Sequence, residues 1–261
     1  MKKPKLLLSR FRKLYQGRFA FRCAVLAATV ILYFTAPGQF AVLRGFNCFR
    51  QLSVFHLLWL LWMIDMVMQL IPSRRYWPLG SQKFLKDTFQ PLRSFVEGKT
   101  RGELLEFIVK SNRDTLCVGL VWLALTAAIG SLFFFLDVIE DRTLLLISVL
   151  FYVLDLVCVL FWCPFRVWFM KNRCCTTCRI FNWDHMMMFS PIVFIPGFFT
   201  WSLCLAALTV FLIWEITFSL HPERFWEGSN GALQCSNCTD ILCGQRNCRT
   251  EVSRVRWEEE T

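Results

Sequence analysis

Five stretches of this chain, at about residues 23–43, 52–72, 116–136, 143–163 and 186–220, are long runs dominated by apolar side chains. A bilayer core about 30 Å thick is crossed by about 20 such residues in a helix. Backbone surrounded by lipid must satisfy its own polar groups, and a helix does this within one segment. The runs therefore predict an all-α fold: a polytopic membrane bundle of about five transmembrane helices. Composition agrees. Of 261 residues, 56% are hydrophobic and 27 are phenylalanine, more apolar surface than one soluble core of this size conceals. An ordinary soluble enzyme, a disordered chain and a fibrous repeat are excluded. The expected setting is the cell membrane, with the chain passing through it several times and the bilayer as its first partner.

The net charge is +10, from 29 Lys and Arg against 19 Asp and Glu. In a soluble protein this would suggest nucleic acid. Here no recognition motif accompanies the charge, and nucleic acid is not an expected partner. The basic residues instead flank the apolar runs. Lys2, Lys3, Lys5, Arg10, Arg12, Lys13, Arg18 and Arg22 precede the first run with no acid among them. Segment 73–115 has nine cations against five acids, and 164–185 has four against one. The short turn 137–142 is acidic, and the tail 221–261 carries seven acids and five arginines. Excess positive charge marks the cytoplasmic side. The N-terminus is thus expected in the cytoplasm, and five spans put the tail outside. Pro191 and Pro196-Gly197 offer a second path, a re-entrant hairpin that returns the tail to the first side.

The expected organisation is a basic cytoplasmic N-terminus (1–22), a helical bundle (23–220) and a Cys-rich tail (221–261). The long basic lead and the lack of a small-x-small cleavage site before Pro37 read as an uncleaved first helix. Within the cytoplasmic segment 73–115, Thr100-x-x-Glu103 has capping-box spacing before the apolar Leu104, Leu105, Phe107, Ile108 and Val109. Phe84, Leu85, Phe89 and Leu92 give a similar pattern earlier. Amphipathic helices on the membrane face are expected there.

Chemistry is suggested by the 13 cysteines. Six lie singly in or beside apolar runs, where cysteine behaves as a small hydrophobe. Seven are clustered. Cys174, Cys175 and Cys178 form C-C-T-T-C in segment 164–185, and Cys235, Cys238, Cys243 and Cys248 follow in the tail. Four thiolates on short loops suit a tetrahedral zinc ion or an iron–sulfur cluster. The spacing matches neither the common ferredoxin runs nor a standard zinc finger, so it indicates clustered thiol chemistry without naming the metal. An exported tail would instead form disulfides. Cys163-Pro164 either adds a ligand or ends the fourth helix.

Asp65 and Asp155 fall inside apolar runs, where carboxylates are costly and suggest function. Each lies roughly 9–12 Å from the cytoplasmic edge at 1.5 Å per residue. Their matched depth permits a proton-sharing pair, a proton or ion path, or bonding to a neighbouring helix. Glu215 is expected near the outer end of the last span. His56, His185 and His221 do not pair at one depth as haem ligands would. No phosphate-binding, dinucleotide, serine-hydrolase or zincin motif is present, and no enzyme class follows from the sequence.

The leading expectation is an integral membrane electron-transfer component holding one or two iron–sulfur clusters, working with a redox partner protein or other membrane subunits. The alternatives are a transporter or assembly factor with a structural zinc site, and a transmembrane thiol–disulfide relay.

Overall fold

A computed structural model describes residues 4–46, 52–71, 83–98, 100–136, 138–172, 174–234 and 237, with residues 4–12 described as backbone path only. Every regular element among them is helical. The main helices are α1 (Pro4–Thr35), α2 (Phe55–Leu70), α3 (Arg101–Phe134), α4 (Asp141–Leu160), α5 (Asp184–Phe189) and α6 (Phe198–Leu220). Lys13–Thr35 within α1, α3, α4 and α6 are long and apolar enough to cross a membrane. Their exposed faces carry Phe34, Leu123, Leu150 and Leu205, as expected of surfaces turned to lipid rather than water. α2 is equally apolar but has 16 residues, about 24 Å at the usual rise.

Three departures from the sequence expectation bear on function. First, the third apolar run does not begin after a separate surface helix. α3 is a single helix of 34 residues. Segment 101–115 is its first part, because nothing between Arg101 and the apolar run breaks the hydrogen-bond ladder. Thr100 stands at the N-cap as its spacing predicts, but its side chain makes no capping bond.

Second, the run 186–220 is not one helix. Pro191 and Pro196 lack the amide protons that would continue α5, so residues 184–197 advance as a short helix, a tight turn over Pro191–Phe194 and an extended link. The link docks on the connection after α1: Gly45 N–H donates to the Pro196 carbonyl at 3.0 Å, and Phe198 N–H to the Gly45 carbonyl at 3.0 Å. A Cβ on Gly197 would lie 2.2 Å from the Leu43 carbonyl oxygen, so only glycine fits that approach.

Third, this break moves the tail. α1 and α4 lie antiparallel, with Tyr33 bonded to Thr143 at one end and Arg22 to Asp155 towards the other. α6 starts beside Gly45 and ends beside Arg179, which pairs with Glu215. Glu215 is therefore at the end opposite to the expected one. Beyond α6, Phe225 stacks on Phe84 with ring centroids 4.5 Å apart. Gly231 N–H donates to the Gln90 carbonyl at 2.8 Å, and Leu92 N–H to the Ser229 carbonyl at 3.0 Å. The start of the tail thus lies at the same end of the bundle as segments 83–92 and 174–183, not beside the acidic turn as an odd number of crossings requires.

The core runs along the bundle axis, through Phe55, Trp62 and Met66 of α2, Leu144 and Val149 of α4, Phe189 of α5, and Phe199 and Leu203 of α6, all nearly inaccessible. Trp62 packs edge-on to both Tyr152 and Phe189. This packing fixes α2, α4 and α5 together and so holds the polar groups they carry.

Candidate functional site

Two adjoining sites are built where α1, α2, α4 and α5 meet. The first is ionic. Asp65 of α2 and Asp155 of α4 converge on one cation, Arg22 of α1. Its Nη1 donates to Asp155 Oδ2 at 2.6 Å and to the Tyr152 carbonyl at 2.7 Å, and its Nη2 is 3.8 Å from Asp65 Oδ2. The guanidinium also lies over the Tyr152 ring, 3.9 Å from its centroid, a favourable cation–π position. α5 supplies the remaining members. His185 Nε2 is 3.4 Å from Asp65 Oδ2, and its Nδ1 is 3.1 Å from Asp184 Oδ1. Gln69 Nε2 donates to Asp184 Oδ2 at 3.0 Å. The side chains of Arg22 and His185 are buried, and the carboxylates nearly so. Charges removed from water persist only when paired, and here each carboxylate faces a cation or a ring nitrogen. A cavity of about 490 Å³ opens on this group, lined by Lys13, Arg18, Asp65, Asp155 and Asp184 among others.

The second site is made of thiols. α4 ends at Leu160, and Pro164 starts a wide helical turn over Phe165–Met170 that Lys171 closes with a left-handed φ of 46°. Cys163 sits at the head of this turn. Its sulfur accepts the Arg166 N–H at 3.4 Å, and Cys158 and Cys175 line the same cavity. The Cys175 thiol donates to the Cys158 carbonyl at 3.1 Å. The neighbouring Cys158 and Cys175 thiols, with backbone N–H groups behind them, outweigh burial and hold the Cys163 thiol down to about 3. Donors aimed at a sulfur and an adjoining helical N-terminus are the usual way a cysteine becomes a thiolate. The contact with Cys163, followed by burial, pushes the Cys175 thiol up, and burial pushes Cys178 up to about 12. A cavity of about 320 Å³ is lined by Cys158, Cys163, Cys175 and Cys178. Asp155 and Asp184 line this cavity as well as the larger one, so the two sites share a wall.

The sequence-based candidates fare unequally. Asp65 and Asp155 are brought to one guanidinium. Cys175 and Cys178 line the thiol cavity, while Cys174 turns to Thr176, with Sγ and Oγ1 3.2 Å apart. Among the described residues no group of three or more His, Cys, Asp and Glu side chains is arranged to hold a metal ion. Cys235, Cys238, Cys243 and Cys248 lie outside the described residues. His56 caps the start of α2 through Ser53, and His221 pairs with Glu223, so neither approaches His185.

Two contributors were not singled out by sequence reasoning. Arg22 reads as one more cation of a basic flank. Cys158 reads as a lone apolar cysteine, although its five-residue spacing from Cys163 across the end of α4 is a usable signal. Compared with protein-family models, curated proteins and solved structures, the chain matches none.

Proposed function

We propose that the chain is an integral membrane redox protein that works by thiol–disulfide exchange, with Cys163 as the attacking thiol and Cys175 as its resolving partner. The observation that carries this reading is the gathering of Cys158, Cys163 and Cys175 in one cavity, with the Arg166 N–H on the Cys163 sulfur. Structural cysteines in apolar surroundings are inert, whereas a thiol surrounded by donors is reactive. In exchange with a partner dithiol, one partner thiolate attacks Cys163 of the oxidised pair. A mixed disulfide forms and Cys175 leaves as a thiolate, which takes a proton. The second partner thiol then attacks the mixed disulfide, and Cys163 leaves. The partner is oxidised by two electrons and the Cys163–Cys175 pair is reduced by two. The strongly basic flanks favour the cytoplasm for the end bearing these cysteines, in a multi-pass chain in which α2 is a shorter span and residues 184–197 and α6 run out and back.

A second reading keeps the cysteines but adds a cofactor. Residues 222–234 pack at the same end as Cys174, Cys175 and Cys178, and the four tail cysteines follow residue 234 in sequence. Seven clustered cysteines suit an iron–sulfur centre or a structural zinc ion.

One preparation separates these readings. The full chain is purified in detergent without oxygen and assayed for iron, zinc and acid-labile sulfide. It is then treated with diamide, and its peptides are mapped by mass spectrometry. A Cys163–Cys175 disulfide and no stoichiometric metal is the expected result. Iron and sulfide near about four each, with brown absorbance, would establish the cluster instead. Zinc alone would make the clustered cysteines scaffolding.

A further inference from the structure

We propose that the thiol cavity binds a lipid-soluble quinone, which takes the two electrons of the Cys163–Cys175 pair. The inference rests on the thiol-exchange reading and adds the acceptor.

The cavity's walls select for such a molecule. Trp122, Phe151 and Phe165 form one aromatic face, with the Trp122 ring 5.1 Å from Phe151 and 6.1 Å from Phe165 between centroids. At the rim, Leu154 and Trp162 are exposed. Leu154 is on the apolar face of α4 and Trp162 just past its end, so the mouth opens among side chains turned to lipid. A peptide entering there would bring backbone groups with nothing to satisfy them. A flat, apolar ring carrying two carbonyl oxygens has no such difficulty. A volume of about 320 Å³ lies within the usual range for small-ligand pockets. The polar groups in the wall are few and suited to the reaction: Arg166, Asp155 and Asp184.

The step balances as follows. The Cys163 thiolate adds to the quinone ring, forming a C–S bond and placing an electron pair on a carbonyl oxygen, near the cationic Arg166. Cys175, giving up its proton, attacks the Cys163 sulfur. The S–S bond forms, the C–S bond breaks, and the electron pair stays on the ring. Two protons complete the hydroquinone. One comes from Cys175. The other comes through Asp184, whose carboxylate is 3.1 Å from His185 Nδ1 on the side of the larger cavity. Two thiol sulfurs are oxidised and one quinone is reduced.

The test uses the full chain in detergent, reduced, freed of reductant and mixed without oxygen with a short-tailed, fully ring-substituted benzoquinone. Quinone loss is followed by ultraviolet absorbance and the cysteine state by mass spectrometry. About one equivalent of quinone per chain should be reduced, with a Cys163–Cys175 disulfide forming at the same rate. Cys163→Ser should abolish the reaction. Phe151→Leu should slow it by about tenfold, the effect of losing roughly 1.4 kcal/mol of ring contact. If diamide forms the disulfide and the quinone is not consumed, the acceptor is wrong and the thiol reading stands. If neither reagent forms it, both proposals fall. Equal quinone loss in Cys163→Ser, or a persistent quinone adduct in place of the disulfide, also overturns the quinone site.

Discussion

A carboxylate inside an apolar run is visible to a reader of sequence because its burial is costly. Asp65 and Asp155 were legible for that reason, and equal depth suggested that they meet. Their cation was not legible, since Arg22 sits among eight N-terminal Lys and Arg residues and only the packing of α1 on α4 turns it inward. Its importance can be measured. Arg22→Ala removes the guanidinium that pairs with Asp155 and approaches Asp65, and breaking a buried pair in this way costs roughly 3–5 kcal/mol. The expected outcome is a large drop in thermal midpoint in detergent, partly recovered when Asp155→Asn is added; an additive second loss would show that the pair does not act as a unit. The thiols make a separate residue-scale prediction. With its thiol held near 3, Cys163 is a thiolate throughout the range from pH 5 to 8, whereas an ordinary cysteine near pH 8.5 gains thiolate tenfold per pH unit below its midpoint. Iodoacetamide labelling should therefore be nearly flat with pH at Cys163 and rise steeply for a free cysteine peptide labelled in parallel. A rise at Cys163 as steep as the peptide's would deny it a depressed pKa.

At the scale of elements, hydropathy located the apolar runs but could not show where each helix is continuous. α3 extends back to Arg101 because no proline interrupts the ladder there, and periodicity alone cannot tell one long helix from two short ones. The opposite error occurs at 186–220, where the apolar character is continuous but the backbone is not. The prolines were visible, and their consequence depends on a contact far away in sequence, the close approach of Gly197 to Leu43. That contact is testable. Gly197→Ala places a methyl group against a backbone carbonyl that cannot swing aside, and overpacking of this kind costs typically 1–3 kcal/mol. Gly38→Ala is the control, since its Cβ would meet nothing within 4 Å. Thermal denaturation of both variants should show a clear loss for Gly197→Ala and little change for Gly38→Ala. Equal effects would mean that the link over residues 195–198 does not pin α6 to the connection after α1.

For the whole molecule, the decisive quantity is parity. Charge counting predicts one side for the basic segments, and the side of the tail depends on whether 186–220 crosses once or turns back. The packing of Phe225 on Phe84 and of Gly231 on Gln90 sets the start of the tail at the end that holds segment 83–92, the arrangement an even count would give. The break at Pro191 and Pro196 makes this possible, because residues 184–197 lead from the end bearing His185 to the end bearing Gly45 before α6 returns. The consequence reaches the chemistry. With the tail outside, Cys174, Cys175 and Cys178 would be separated from Cys235 and its successors by the bilayer, and no centre could draw on both groups. With the tail on the same side, the thiol pair and the tail cysteines face one compartment and one supply of reductant. Small epitope tags at the two termini of the full chain, in sealed vesicles of one orientation, distinguish these arrangements. Added protease should remove both tags or neither, and removal of both only after the vesicles are permeabilised would still fit an even count. Loss of one tag with protection of the other would restore the odd count, put the tail cysteines across the membrane from Cys163, and leave the thiol cavity to act without them.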